Sequence, residues 1–166
     1  FLDAVPSLGD GLLVTGDLFE FWFAYNRAIP RASIRVVAAL AGLRRRVPIV
    51  MVGGNHDRWA GGFWGELDIE FQAREARFRL GGMAALVVHG DGITESHWSA
   101  RTLHRITSNS GTAALFRAIH PDLGFWLVDH LSDVLGDGTR NPAVLAAAAD
   151  RQRAWALAKL GEDPAL

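Results

Sequence analysis

Three groups of polar residues follow apolar stretches of the chain, and their side chains are of the types that bind divalent metal ions. The first group is Gly16–Glu20, the second is Gly53–Asp57 and the third is His89–Asp91. Together they offer carboxylate, amide and imidazole ligands, which suit hard or borderline divalent cations. Each group alone is a weak signal, because a Gly-Asp pair is often only a turn and a histidine at a strand end is often structural. Three such groups in this order predict a metal-dependent site.

The stretches that precede the first two groups predict neighbouring strands of a parallel sheet. Leu12–Thr15 and Ile49–Val52 are continuous apolar runs, which are typical of strands covered on both faces. Ser33–Arg45 lies between them and has the apolar spacing of a helix, so the whole segment predicts a β-α-β unit. Because ligands bind outside the carboxyl ends of the strands in open α/β sheets, we expect the polar groups to meet at one edge.

The rest of the chain predicts a hairpin followed by helices. Ala76–Leu80 and Met83–His89 flank Gly81-Gly82, a pair that is typical of a tight β-turn. The pattern beyond is helical, and the predicted helices are Trp98–Thr107, Thr112–Ile119, Phe125–Leu135 and Ala143–Leu160. The expected fold class is therefore α/β with a mixed sheet and an added α-helical insert. The expected division is a core over residues 1–96, an insert over 97–140 and a helix returning to the core over 141–166.

Proline and glycine predict where the terminal helices end. The residues Phe1–Val5 are expected to form the last turn of a helix that stops near Pro6 and Gly9. At the other end, Asn141 and Pro142 favour the start of the last helix, and Gly161 is expected to end it.

Composition and charge exclude several classes of protein. Of the 166 residues 49% are hydrophobic and 21% are charged, which is a globular composition rather than a disordered one. The apolar runs are far shorter than the roughly 18 residues that a membrane-spanning helix needs. There is no cysteine, so disulfides and thiolate sites are excluded. The net charge of -1 gives no support for a nucleic-acid partner.

The polar groups resemble the motifs of the calcineurin-like metallophosphoesterases. Gly16-Asp17, Gly54-Asn55-His56-Asp57 and His89-Gly90-Asp91 carry this resemblance. Within that family the chain is most similar to the UDP-2,3-diacylglucosamine diphosphatase branch, through Gly16–Trp22, Leu115–Arg117 and His120–Asp122. The resemblance implies an incomplete metallophosphoesterase-type α/β sandwich with mixed sheets and a helical lid. It also implies hydrolysis of the pyrophosphate of UDP-2,3-diacylglucosamine to the lipid monophosphate and UMP, in lipid A biosynthesis.

The resemblance assigns roles to five residues and two metal ions, which we expect to be manganese. Asp17 would bridge the two ions, and Asn55 and His89 would bind the second one. The ions would clamp a phosphoryl group and activate a bridging water. His56 would lie beside the leaving phosphate as a donor or an acid. Asp57 would either orient His56 or help to position its loop.

The insert is expected to serve the lipid substrate, although a small helical core that packs on itself is the alternative that its composition favours. As a lid it would line a chamber for acyl chains and dip into the membrane surface. The expected partners are therefore a lipid-linked nucleotide sugar and the cytoplasmic face of the inner membrane, with no nucleic acid and no protein partner. Candidate substrate ligands are Arg101, Arg105, Asn109 and Arg117, for which solvated helix faces are an equal alternative. Arg58 is a candidate phosphate contact, and His120 is a further candidate whose alternative role is helix capping or packing.

The family pattern also contains an Asp-x-His motif before the first helix and a Gly-His-x-His motif after the insert, and neither is found in this sequence. We therefore expect a chain truncated at both ends, with one weakly held metal and little or no activity. Two other functions stay open. One is a metallophosphoesterase of another specificity, such as a phosphomonoesterase or nuclease, and the other is an inactive fragment or pseudoenzyme that binds lipid.

Overall fold

The computed structural model describes residues 1–19, 22, 25, 28–91, 93, 109–135, 142–163 and 165–166. These residues form two compact units. The first consists of Phe1–Ala76 with Val87–His89, and the second of Arg77–Leu86 with Gly90–Leu166. The expected boundaries at residues 96 and 140 stay a prediction.

A three-stranded parallel sheet is the centre of the first unit. Its strands are β1 (Leu12–Val14), β2 (Ile49–Val52) and β3 (Glu70–Gln72), in the order β1-β2-β3. Leu13 is opposite Val50 and Met51 is opposite Phe71, so β2 is the middle strand. Helix α2 (Ile34–Arg44) connects β1 to β2, and the predicted β-α-β unit is thus present. The α/β class is confirmed. The expected mixed sheet is not found in the described residues, which form this parallel sheet and a separate two-stranded sheet. The metallophosphoesterase-type sandwich stays a prediction.

The core of the first unit lies where α2 and the middle strand meet. Leu40, Ile49 and Met51 are fully or almost fully buried, and Trp64 joins them from helix α3 (Gly61–Glu66). Burying an aliphatic side chain of this size contributes about 1.5–3 kcal/mol, so these residues account for much of the stability of this unit.

The beginning of the chain differs from the prediction. A 3₁₀ turn over Leu2–Ala4 leads into α1 (Val5–Leu8), so helix α1 begins beside Pro6 rather than ending there. Proline is well tolerated in a first helical turn, because the N–H that it lacks would have no partner within the helix. The helix ends as expected before Gly9.

The described part of the second unit contains residues 77–86 of a hairpin and three helices. The hairpin strands are β4 (Glu75–Leu80) and β5 (Met83–Val88), joined by Gly81-Gly82 with positive φ at both residues, as a primed turn requires. The helices are α4 (Ser110–Ala118), α5 (Pro121–Leu135) and α6 (Pro142–Glu162). Crossing a bilayer would take a longer or more apolar helix than any in the described part of the chain.

The last helix ends later than the sequence predicts. Helix α6 continues through Gly161 to Glu162, so Gly161 does not end it. A single glycine inside a helix costs only about 1 kcal/mol, and the same turn contains an exposed 2.6 Å ion pair between Lys159 and Glu162. The predicted cap Asn141 and the predicted helix over residues 98–107 lie outside the described residues.

An ion pair connects the hairpin to the end of α6 within the second unit. Arg77 and Asp163 are 2.5 Å apart, and both side chains are partly exposed. The hydrogen bond from the Arg77 guanidinium is the largest of the effects that hold the pKa of Asp163 below its ordinary value. The carboxylate of Asp163 is therefore protonated only at a lower pH than an unpaired aspartate would be.

Candidate functional site

The chain turns sharply after β1, and this turn presents Asp17. Gly16 and Asp17 both have positive φ, at 95° and 49°. Aspartate is one of the few side chains that adopt this left-handed conformation readily. A Cβ atom on Gly16 would lie 2.8 Å from both the Cα and the N of Gly54, so only glycine fits there. The turn after β1 therefore packs directly against the turn after β2, which begins at Gly53.

His89 follows β5 and is oriented by the main chain of Thr15, directly after β1. Its Nδ1 lies 2.9 Å from the carbonyl oxygen of Thr15. Since a carbonyl oxygen can only accept, Nδ1 carries a proton and donates it. The other ring nitrogen, Nε2, faces Asp17 Oδ2 at 3.2 Å and Asn55 Oδ1 at 3.3 Å. The structure thus brings together three of the predicted metal ligands, which lie in the first unit.

The distances from His89 Nε2 to these two oxygens are suited to ligands of one divalent cation. Ligands bound at about 2.1 Å lie about 3.0 Å apart in adjacent octahedral positions and about 3.4 Å apart in tetrahedral ones. The two measured separations fall in this interval. When Nδ1 holds the only ring proton, the lone pair of Nε2 faces two acceptor oxygens, and these three electron-rich atoms repel one another. A cation bound between them would be attracted by all three. Asp17 and His89 are 32% and 20% exposed, so an ion has access from solvent.

The third donor of this arrangement is an amide. Over the residues that the structure describes, no group of three or more His, Cys, Asp or Glu side chains is placed to hold a metal. One carboxylate, one imidazole and the neutral oxygen of Asn55 form the cluster instead. Such a set supplies three of the four to six ligands that borderline cations take, and water can complete it.

His56 connects the turns that follow β1 and β2 through its main chain. Its N–H donates to Asp17 Oδ1 at 3.0 Å, and its carbonyl oxygen accepts a hydrogen bond from the N–H of Trp22 at 2.9 Å. The first of these bonds occupies one carboxylate oxygen and leaves Oδ2 directed at His89. The side chain of His56 is half-buried beside this turn.

Asp57 is fully buried, and both of its carboxylate oxygens accept hydrogen bonds from the main chain. Oδ2 accepts from the N–H of Leu18 at 2.9 Å, and Oδ1 accepts from the N–H of Gly54 at 2.8 Å. Of the two roles that the sequence left open for Asp57, these bonds favour the positioning of its loop.

An aromatic cluster, formed by Phe19, Trp22, Phe63 and Trp64, supports the same two turns. The ring centroids of Phe19 and Trp22 are 4.7 Å apart, and those of Trp22 and Phe63 are 5.0 Å apart. Trp22 and Trp64 are almost completely buried. Sequence reasoning missed Phe63 and Trp64, because the short, glycine-rich helix α3 shows no apolar periodicity. The cluster joins the turn after β1 to the segment after β2 by apolar contact.

The structure describes the side chains of only some of the predicted substrate ligands. Arg58 begins a 3₁₀ turn over Arg58–Ala60, and its side chain lies outside the described residues, as do Arg101 and Arg105. Asn109 caps helix α4 by accepting from the N–H of Gly111 at 2.7 Å, which is a structural role. The other two candidates, Arg117 and His120, have exposed side chains in the second unit. The roles predicted for all six in substrate binding, Asn109 included, stay predictions.

Comparison with known proteins indicates a distant relationship to one group of hydrolases. A Porphyromonas gingivalis protein named UDP-2,3-diacylglucosamine hydrolase is 27% identical over 127 residues, covering 73% of this chain and 47% of that protein. Proteins of the same name from a Shewanella species and from Shewanella baltica are 30% and 28% identical over 94 residues, covering 56% of this chain and 39% of each relative. The chain thus spans less than half the length of these relatives. No family model matches it.

Proposed function

We propose that this chain contributes a divalent metal site to a hydrolase that cleaves the pyrophosphate of UDP-2,3-diacylglucosamine. The observation that carries the proposal is the convergence of Asp17, Asn55 and His89 at ligand spacing. The names of the distant relatives support the same substrate. Two oxygens and one imidazole nitrogen suit manganese, which is the metal that we propose.

In this proposal some residues of the site bind the cation, and others orient the ligands or the phosphate. Asp17 Oδ2, Asn55 Oδ1 and His89 Nε2 would hold the cation, and Thr15 keeps the imidazole in the required tautomer. A cation in this position would withdraw charge from a phosphoryl oxygen and help water to attack phosphorus. His56 would donate a hydrogen bond to the phosphate that departs. A second cation, with Asp17 as the shared ligand, is implied by the resemblance to metallophosphoesterases.

The helices of the second unit would contact the lipid part of the substrate. Leu115 on α4 is 64% exposed, and Leu123 and Trp126 on α5 are 54% and 59% exposed. Apolar side chains that face water in this number are suited to acyl chains or to the surface of a membrane. In this proposal the protein works at the cytoplasmic face of the inner membrane.

The test is an assay of UMP release from UDP-2,3-diacylglucosamine with Mn²⁺, performed on the natural gene product that carries this chain. Asp17→Asn removes the charged ligand and keeps both the shape and the left-handed backbone, since asparagine tolerates positive φ. We expect this variant to lose at least about 100-fold in rate. Asp68→Asn is the matched control, because Asp68 also has positive φ, at 55°, and is exposed.

Three results would count against the proposal. Equal rates for Asp17→Asn and the control would show that Asp17 binds no catalytic metal. Hydrolysis of simple phosphomonoesters or nucleic acids in place of the lipid nucleotide would indicate a metallophosphoesterase of another specificity. Binding of the lipid without any hydrolysis would indicate a lipid-binding pseudoenzyme.

A further inference from the structure

Asp57 is a negative charge that has been removed from water, and two main-chain N–H groups compensate for its burial. Its side chain has no solvent exposure, and the bonds from Leu18 and Gly54 measure 2.9 Å and 2.8 Å. A buried carboxylate without hydrogen bonds would be strongly destabilising, whereas charge-assisted bonds of this length are about twice as strong as neutral ones. The two N–H groups are therefore held firmly where they are.

The positions of these two N–H groups in the chain are informative. Leu18 directly follows Asp17 in the turn after β1, and Gly54 directly precedes Asn55 in the turn after β2. A single carboxylate thus holds the main chain next to two of the three atoms that converge at the site. We infer that Asp57 is a positioning residue that sets the spacing between Asp17 and Asn55 for the cation. This inference rests on the proposed metal site. It adds a residue that positions the ligands without binding the cation itself.

Other contacts make a variant of Asp57 a usable test. The hydrogen bonds of His56 with Asp17 and Trp22, and the aromatic cluster, join the same two turns independently. Loss of the carboxylate should therefore loosen the turns without separating them. Asp57→Asn keeps the size of the side chain, but its amide can accept only one N–H well and directs its own NH₂ group at the other. We expect a folded protein whose two ligands are less well held.

The experiment compares Asp57→Asn with wild type and with Asp68→Asn, which removes the same charge from an exposed position of the same unit. One readout is the hydrogen exchange of the Leu18 and Gly54 amides, followed by NMR in the absence of metal. The other is Mn²⁺ affinity, measured by titration calorimetry. For Asp57→Asn we expect exchange at these amides to be about 10- to 100-fold faster. We also expect Mn²⁺ affinity to be about 10-fold or more weaker, with neither change in the control.

The two readouts separate the alternatives. Faster amide exchange with unchanged Mn²⁺ affinity would show that Asp57 is structural and does not position the ligands. Weaker affinity with unchanged exchange would show that Asp57 acts only through its charge. Either result overturns the inference. If Asp57→Asn did not fold, Asp57→Glu would replace it, because it keeps the charge and displaces the carboxylate by one methylene, and the same two changes are expected. If wild type bound no Mn²⁺, the proposed function would fail, and the amide exchange alone would decide whether Asp57 holds the two turns.

Discussion

Replacing Gly54 by alanine tests whether the close packing of the two turns positions the metal ligands. Gly54 has no side chain, and a Cβ atom built on it meets the carboxylate of Asp17 and lies 2.5 Å from the Asp17 main-chain N. A clash with a flexible carboxylate could be relieved by rotation. A clash with the main chain can be relieved only if one of the two turns moves.

The size of the required movement follows from these contacts. Ordinary van der Waals contact begins near 3.4 Å, so the Asp17 nitrogen is about 1 Å too close for a methyl group. Metal–ligand distances in proteins are kept within about 0.2 Å, so a shift of this size would spoil the geometry of Asp17. We expect Gly54→Ala to weaken Mn²⁺ binding about 10- to 100-fold. We also expect a loss of about 1–3 kcal/mol in the free energy of unfolding, as is usual for overpacking.

The assay combines Mn²⁺ titration with urea unfolding of the metal-free protein. Gly42→Ala is the matched control, because Gly42 lies in α2 and a Cβ atom there meets nothing within 4 Å. Alanine should stabilise that helix by up to about 1 kcal/mol and leave Mn²⁺ affinity unchanged. If Gly54→Ala bound Mn²⁺ as tightly as wild type, the close packing of these turns would not set the ligand spacing.

Three further predictions concern the core, an ion pair and a ligand. Trp64→Ala should lower the free energy of unfolding, measured in urea, by about 3–5 kcal/mol because Trp64 is completely buried. Trp126→Ala, at a 59% exposed position, should change it by less than about 0.5 kcal/mol. Equal losses in the two variants would contradict the described core. Arg77 lowers the folded-state pKa of Asp163, so the stability from this pair is present above the unfolded pKa and is lost as pH falls through the folded pKa. Between neutral pH and about pH 3, the thermal stability of Arg77→Ala should therefore decrease less than that of wild type. The same dependence of stability on pH in both proteins would show that this ion pair does not stabilise the fold. His89→Gln should lower Mn²⁺ affinity by about 10-fold or more with an unchanged circular dichroism spectrum, and retained affinity would exclude His89 as a ligand.

The sequence predicted the central elements of the first unit well, because their signals are local. The apolar run Ile49–Val52 is a strand with those bounds, and the helix predicted over Ser33–Arg45 extends from Ile34 to Arg44. Strand β3 was not predicted, since Glu70-Phe71-Gln72 is short and mostly polar and forms a strand only through pairing with β2. Non-local pairing of this kind leaves little trace in composition or periodicity.

The site shows the same division between local and non-local information. Residue type identified Asp17, Asn55 and His89 as candidates, and the rule for strand ends predicted that they would meet. Their tautomer, their spacing and the hydrogen bonds of Asp57 depend on atoms brought together from positions up to 74 residues apart. The sequence could therefore predict the ligands, but not the main-chain contacts that hold them.

The most direct test of the central claim is an NMR titration of the wild-type chain with Mn²⁺, whose paramagnetism broadens the signals of nearby nuclei. We predict that the side-chain signals of His89 and Asn55 disappear first, at substoichiometric Mn²⁺. Those of the exposed His120 and His130 should persist. Broadening that began at His120 or His130, or the absence of any broadening at His89, would contradict the claim that these residues form a divalent metal site.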